Sequence, residues 1–133
     1  MKKMNPVVHF EMAATDGQRM AEFYEKTFGW KMQHYGPEMG NYIVAHTTET
    51  DEKGMVQTQG AINGGFYPKL EDPTLNYPSI VIAVDDIHES MEKIKEAGGK
   101  LLGEPMAIPG VGDFVSFIDT EGNRCSILQP LAM

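Results

Sequence analysis

Residues 7–29 read VVHFEMAATDGQRMAEFYEKTFG, and residues 77–99 read YPSIVIAVDDIHESMEKIKEAGG. Laid over one another at an offset of 70, the two stretches need no gap. They pair Ala13 with Ala83, Asp16 with Asp86, Glu22 with Glu92 and Gly29 with Gly99. Apolar positions coincide too: Phe10 with Ile80, Met12 with Ile82, Tyr24 with Ile94. Each stretch begins as a strand, passes an Asp at a helix-capping position, runs on as an apolar helical stripe and stops at glycine. Element order, caps and stops recur together with the identities, which marks a tandem duplication rather than a short-period repeat.

Within the first copy, Val7–Met12 alternates. Val8, Phe10 and Met12 point one way, and Val7, His9 and Glu11 the other. Met20, Phe23, Tyr24, Thr27 and Phe28 form the helical stripe, ended by Gly29. Trp30–Tyr35, Asn41–Thr47 and about Val56–Asn63 read as three further strands, with turns at Gly36-Pro37 and Glu49–Gly54. The Pro- and Gly-rich stretch from Gly64-Gly65 to Pro78 reads as a linker. In the second copy Ser79–Val84 is a strand, and Ile87, Met91, Ile94 and Ala97 form the helical stripe that Gly98-Gly99 stops. Leu101–Ile108, Asp113–Asp119 and Arg124–Leu128 complete the strands. A second offset, of 72, pairs Gly40 with Gly112, Tyr42 with Phe114, Thr48 with Thr120 and Glu49 with Glu121.

The expected fold is therefore α+β, with two βαβββ modules, about residues 6–65 and 79–129, in one domain spanning 1–133. One such sheet has a helix on one face and an open second face. Two sheets facing each other would make an incomplete barrel with a central cleft. His9 and Glu11 would then point into the cleft, and Phe10 and Met12 would pack beneath the first helix.

Composition narrows the function. The 133 residues carry 19 acidic side chains against 11 Lys and Arg, for a net charge of −8. Phosphate backbones and anionic membranes call for clustered Lys and Arg, and the one basic pair is Lys2-Lys3 at the terminus, so neither nucleic acid nor membrane is an expected partner. No apolar run approaches the ~20 residues of a membrane helix, and no signal-peptide pattern opens the chain, so a cytoplasmic location is expected. Cys125 is the single cysteine, which rules out an intrachain disulfide.

With these features placed, the chain resembles the glyoxalase / bleomycin-resistance / extradiol-dioxygenase (vicinal oxygen chelate) superfamily. The likeness is carried by His9-Phe-Glu-Met-Ala-Ala-Thr-Asp16 with Phe23-Tyr24 and Phe28-Gly29-Trp30, by Val84-Asp85-Asp86-Ile87 through Ala97-Gly98-Gly99, and by Phe117-Ile-Asp119-Thr-Glu-Gly122-Asn123. The resemblance implies paired βαβββ modules, usually a homodimer, and commonly a divalent metal held by His, Glu or Gln on the first and last strands of each module. Carried over by position, the first ligand falls on His9, the second near Gly60–Asn63, the third on Ser79 and the fourth on Ser126. Near the second there are only Gln57, Gln59 and Asn63. One imidazole and two hydroxyls make a poor divalent-metal site. No resident cofactor is therefore expected; if a metal binds, His9 is its ligand.

The expected function is a small-molecule binding protein of the glyoxalase/bleomycin-resistance type without the usual metal. The alternative is a metal-dependent glyoxalase-like lyase or ring-cleaving dioxygenase. Candidate ligand-binding residues are His9, Glu11, His46, Asn63, Ser79 and Ser126. His9 and Glu11 are also the candidates for catalysis, as a neutral-pH base and the carboxylate that would orient it. His46 shares a strand face with Tyr42 and Val44 and faces either the cleft or solvent. His34 lies on a strand, and His88 is expected to be solvated. Arg124 and Cys125 point to opposite faces, so Cys125 reads as an inert buried thiol. The Gly60–Gly65 run lacks the strand-then-helix setting of a phosphate loop; it reads as a bend or a place of close approach.

Overall fold

A computed structural model describes residues 4–53 and 55–131. The Lys2-Lys3 pair and the Gly54 end of the predicted 49–54 turn lie outside the described residues. The chain divides into two compact units, His9–Pro78 and the described residues of Met1–Val8 with Ser79–Met133.

The first unit follows the order strand, helix, three strands: β1 Val7–Ala14, α1 Gly17–Phe28, β2 Lys31–His34, β3 Ile43–His46 and β4 Asn63–Pro68. Asp16 caps α1 from an extended conformation, its carboxylate accepting from the Arg19 amide at 3.1 Å. Gly29 closes the helix in the left-handed region, at φ 74°, and its N–H reaches the Glu25 carbonyl at 3.0 Å. The sheet runs β2-β3-β4-β1, with β4 parallel to β1 and antiparallel to β3. Its helix-side core is Ile43, Ala45 and Phe66, against which Phe10, Met12, Met20, Tyr24, Trp30 and Met32 pack. The stripe predicted for α1 is narrower than expected. Ala21 is its buried residue, while Phe23 and Phe28 are 56% and 61% exposed and lay their rings against the edge and face of Tyr24.

The second unit repeats the plan: β5 Ser79–Ala83, α2 Ile87–Glu96, β6 Lys100–Leu101, β7 Met106–Ile108, β8 Gly112–Ile118 and β9 Arg124–Pro130. Asp86 caps α2 through the Glu89 amide at 3.1 Å. β5 lies parallel to β9, β9 antiparallel to β8, and β6 and β7 both pair with β8. Val84, Ile87, Val115 and Ile127 form its core, with Ile82, Met91, Ile94 and Phe117 against them. The first strand of each unit thus pairs in parallel with the last, and the helix covers the same side of the sheet.

Two sequence expectations are corrected. No strand occupies Val56–Ile62 among the described residues, where an isolated bridge joins Val56 to Thr50, and the fourth strand is Asn63–Pro68. The supposed linker at Gly64-Gly65 is therefore strand. The predicted Leu101–Ile108 strand is two, broken where Gly103 takes φ 104° and Pro105 offers no N–H to the ladder. The described residues before His9, which include the first two of β1, cluster with Ser79–Met133. The Pro6 carbonyl accepts from the Ala83 amide at 2.9 Å.

Candidate functional site

Alternation along β1 sends Phe10 and Met12 into the helix-side core, so His9 and Glu11 lie on the opposite face of the first sheet. The parallel register sets His9 beside Asn63 and Glu11 beside Gly65, and β3 brings Val44 against the other side of Gly65. Just ahead of β3, the Gly36–Asn41 turn passes through two positive-φ residues, Gly40 at 66° and Asn41 at 56°. It returns the chain so that the Tyr35 amide bonds the Tyr42 carbonyl at 3.0 Å.

Tyr42 then reaches across β4. Its ring lies where a side chain at Gly65 would be; a Cβ there would run into the Tyr42 ring and hydroxyl, and one at Gly64 into the Phe10 ring. The two glycines are the close-approach positions the sequence hinted at, and the groups approaching are the protein's own aromatics. The Tyr42 hydroxyl donates to Glu11 Oε2 at 2.9 Å and lies 3.1 Å from His9 Nε2. His9, Tyr42 and Glu11 form one hydrogen-bonded row.

Glu11 is only 6% exposed. Burial, followed by the charge and hydrogen bond of Glu11 and then Tyr67, holds the Tyr42 hydroxyl far above the usual phenol range, so it stays protonated. Burial pushes the His9 imidazole down to about 4, so it is neutral at neutral pH. The row thus consists of a neutral imidazole, a protonated phenol and a carboxyl side chain.

The remaining candidates divide between the two modules. Asn63 Oδ1 accepts from the amides of Thr47 and Thr48 at 2.8 and 3.2 Å, pinning the exit of β3. His46 ends β3, half-buried, with Lys31 as its cross-strand partner. In the second module Ser126 is fully buried, and its Oγ lies 2.8 Å from Ser116 Oγ, to which Arg124 Nη2 also donates at 3.2 Å. Ser79 is buried, and its hydroxyl has no hydrogen-bond partner among the described residues. Burial raises the Cys125 thiol, as expected of an unreactive cysteine. His34 and His88 are exposed.

The repeat locates the second family ligand position more sharply than the sequence could. Val81 pairs with Ser126 in the second module as Glu11 pairs with Gly65 in the first. The position matching Ser126 is therefore Gly65, and Gln57 and Gln59 lie outside the strand altogether. The four positions hold His9, Gly65, Ser79 and Ser126: one imidazole, two hydroxyls and no side chain at all. That donor set does not fit a divalent ion, which takes three or more imidazole, carboxylate or thiolate donors. Among the described residues no three His, Cys, Asp or Glu side chains gather to hold a metal. Sequence reasoning missed the part played by Tyr42 and Gly65. The signals were a glycine pair inside a strand and an aromatic that the 72-residue offset matches to Phe114.

Comparison with known proteins agrees with the duplicated architecture. The chain is 34% identical over 119 residues to a glyoxylase-like domain-containing protein of Didymella fabae, covering 88% of each chain. It is 25% identical over 126 residues to a lactoylglutathione lyase of Haemophilus influenzae, covering 92% of this chain and 91% of that one. A rice lactoylglutathione lyase matches at 27% identity, but the chain spans only 42% of its length. Among solved structures, Streptomyces coelicolor methylmalonyl-CoA epimerase, in complex with 2-nitronate-propionyl-CoA, superposes with a TM-score of 0.70 at 18% identity. That match covers 98% of this chain and 100% of the epimerase chain, a likeness of fold. The family model described as Glyoxalase/Bleomycin resistance protein/Dioxygenase superfamily matches residues 7–127, and with β1–α1–β2–β3–β4 repeated as β5–α2–β6/β7–β8–β9 the chain belongs to that superfamily.

Proposed function

We propose that this protein binds a small molecule on the sheet face that carries His9, Tyr42 and Glu11, and does so without the divalent metal of its catalytic relatives. The observation that carries the reading is the Tyr42 ring lying over Gly65, where a metal-ligating side chain would stand. A few convergent, hydrogen-bonded polar side chains are the usual means by which a binding site orients its ligand.

The second reading is a metal-dependent lyase. The near full-length similarity to a lactoylglutathione lyase, and the presence of His9, favour it. Equilibrium binding separates the two. The full chain, kept in excess chelator, is titrated with lactoylglutathione, methylmalonyl-CoA and a panel of hydrophobic antibiotics, and Trp30 fluorescence and turnover are followed together. The proposal expects saturable binding that the chelator leaves unchanged, with no turnover. Binding or turnover that appears only when Zn²⁺, Ni²⁺ or Mn²⁺ is restored would establish the lyase reading instead.

A further inference from the structure

The row His9–Tyr42–Glu11 holds fewer protons than it has hydrogen-bonding positions, and that shortage fixes its polarity. A phenol has one proton to give. Tyr42 gives it to Glu11 Oε2, at 2.9 Å. The 3.1 Å contact between Tyr42 Oη and His9 Nε2 must then be made by an Nε2–H donating to the phenol oxygen. A neutral imidazole carries a single N–H, so the other nitrogen, Nδ1, keeps a bare lone pair. His9 is half-buried, and its Nδ1 is not among the fully buried side-chain atoms left without a partner.

We propose that His9 presents Nδ1 as a fixed hydrogen-bond acceptor, and that the ligand of this site is a molecule offering it an N–H or O–H donor, such as an amide, an alcohol or a phenol. The inference rests on the reading of this face as a ligand-binding site. Tyr42 is the positioning residue: it sets which imidazole nitrogen bears the hydrogen, and Glu11 orients Tyr42. A free histidine can switch tautomer to suit a donor or an acceptor. This one cannot without losing either the bond from Tyr42 to Glu11 or its own bond to Tyr42. The site therefore discriminates against ligands that put an acceptor, or a methylated nitrogen or oxygen, at the same point. A binding site that loses one well-made hydrogen bond loses about tenfold in affinity.

Two measurements on the full chain test this. The first is the ¹⁵N spectrum of the His9 ring in wild type and in Tyr42→Phe. Wild type is expected to show a protonated Nε2 and an unprotonated Nδ1, and Tyr42→Phe a mixture of tautomers. A wild-type Nδ1–H would overturn the proposal without touching the ligand-site reading. The second titrates matched probes, phenol against anisole and benzamide against N,N-dimethylbenzamide, and follows the Nδ1 resonance. The donor-bearing member of each pair is expected to bind about tenfold tighter and to move Nδ1, and Tyr42→Phe to reduce that preference. Equal binding within each pair overturns the proposal. If no probe perturbs His9 although the tautomer is as stated, the ligand-site reading fails and this inference with it.

Discussion

The two modules share one scaffold and carry different chemistry on the face turned away from the helix. On the helix side the pairs are alike in kind: Met12 and Ile82, Tyr24 and Ile94, Ile43 and Val115, Phe66 and Ile127, all in the two cores. On the other face, His9 corresponds to Ser79, Glu11 to Val81, Tyr42 to Phe114, Val44 to Ser116, and Gly65 to Ser126. The first module has a row that can accept, donate and carry charge. At the matching positions the second has hydroxyls and apolar groups, with Arg124 at its edge. After duplication, the core-facing positions are held by the common need to bury apolar area, and the opposite faces are free to diverge.

If that division is right, the largest effects should come from the scaffold in either module. Phe66→Ala should cost about 3–5 kcal/mol, and Ile127→Ala a similar 2–5 kcal/mol, in denaturant unfolding. A loss from one module only would break the symmetry of the comparison.

The next effect separates the two faces by pH. His9 binds its proton at about 4 when folded, below its value of 6.5 when unfolded. The unfolded chain therefore takes up the proton first as pH falls. Stability is complete above about pH 6.5 and declines down to about pH 4, by up to about 3 kcal/mol. Tyr42, shifted upward, acts in the other direction: its contribution is complete below about pH 10 and is lost as pH rises beyond that. His9→Ser, which copies the second module, should flatten the acid arm, and Tyr42→Phe the alkaline arm. Unchanged stability-versus-pH curves would show that the row is not buried as described.

A smaller effect, about 2 kcal/mol, is expected for Gly65→Val, because the new side chain claims the space of the Tyr42 ring. The variant should also release the His9 tautomer. Gly60→Ala is the control: Gly60 has open space around its Cβ position but a φ of 84°, so any cost there comes from the backbone alone. The smallest effect is that of Ser126→Ala. It removes one buried hydroxyl and leaves Ser116 its bond from Arg124, for about 1 kcal/mol.

Much of this was legible from local chemistry. Asp16 and Asp86 announced the helix starts, and Gly29 stopped the first helix. Two-residue alternation put His9 and Glu11 opposite Phe10 and Met12. The fourth strand was misplaced because Gly64-Gly65 reads as a breaker in any local window. It is a strand because two rings from elsewhere, Phe10 and Tyr42, fill the places of the missing side chains, a tertiary fact that no local pattern encodes. That same error put the second family ligand position near Gly60–Asn63 instead of at Gly65. The two backbone amides that occupy the Asn63 oxygen belong to residues 47 and 48, and no local pattern discloses them. The row itself needed the 36–41 turn to aim Tyr42, and the spacing of His9 and Glu11 alone does not disclose it.

The central claim, that the first module's polar row stands where a metal site would otherwise be, meets its most direct test in metal analysis. The full chain would be purified without chelators, offered Zn²⁺, Ni²⁺ and Mn²⁺ in turn, desalted and analysed by plasma mass spectrometry. The account predicts far less than one ion per chain for each metal, in wild type and in His9→Ala alike. One ion per chain in wild type, lost in His9→Ala, would contradict it.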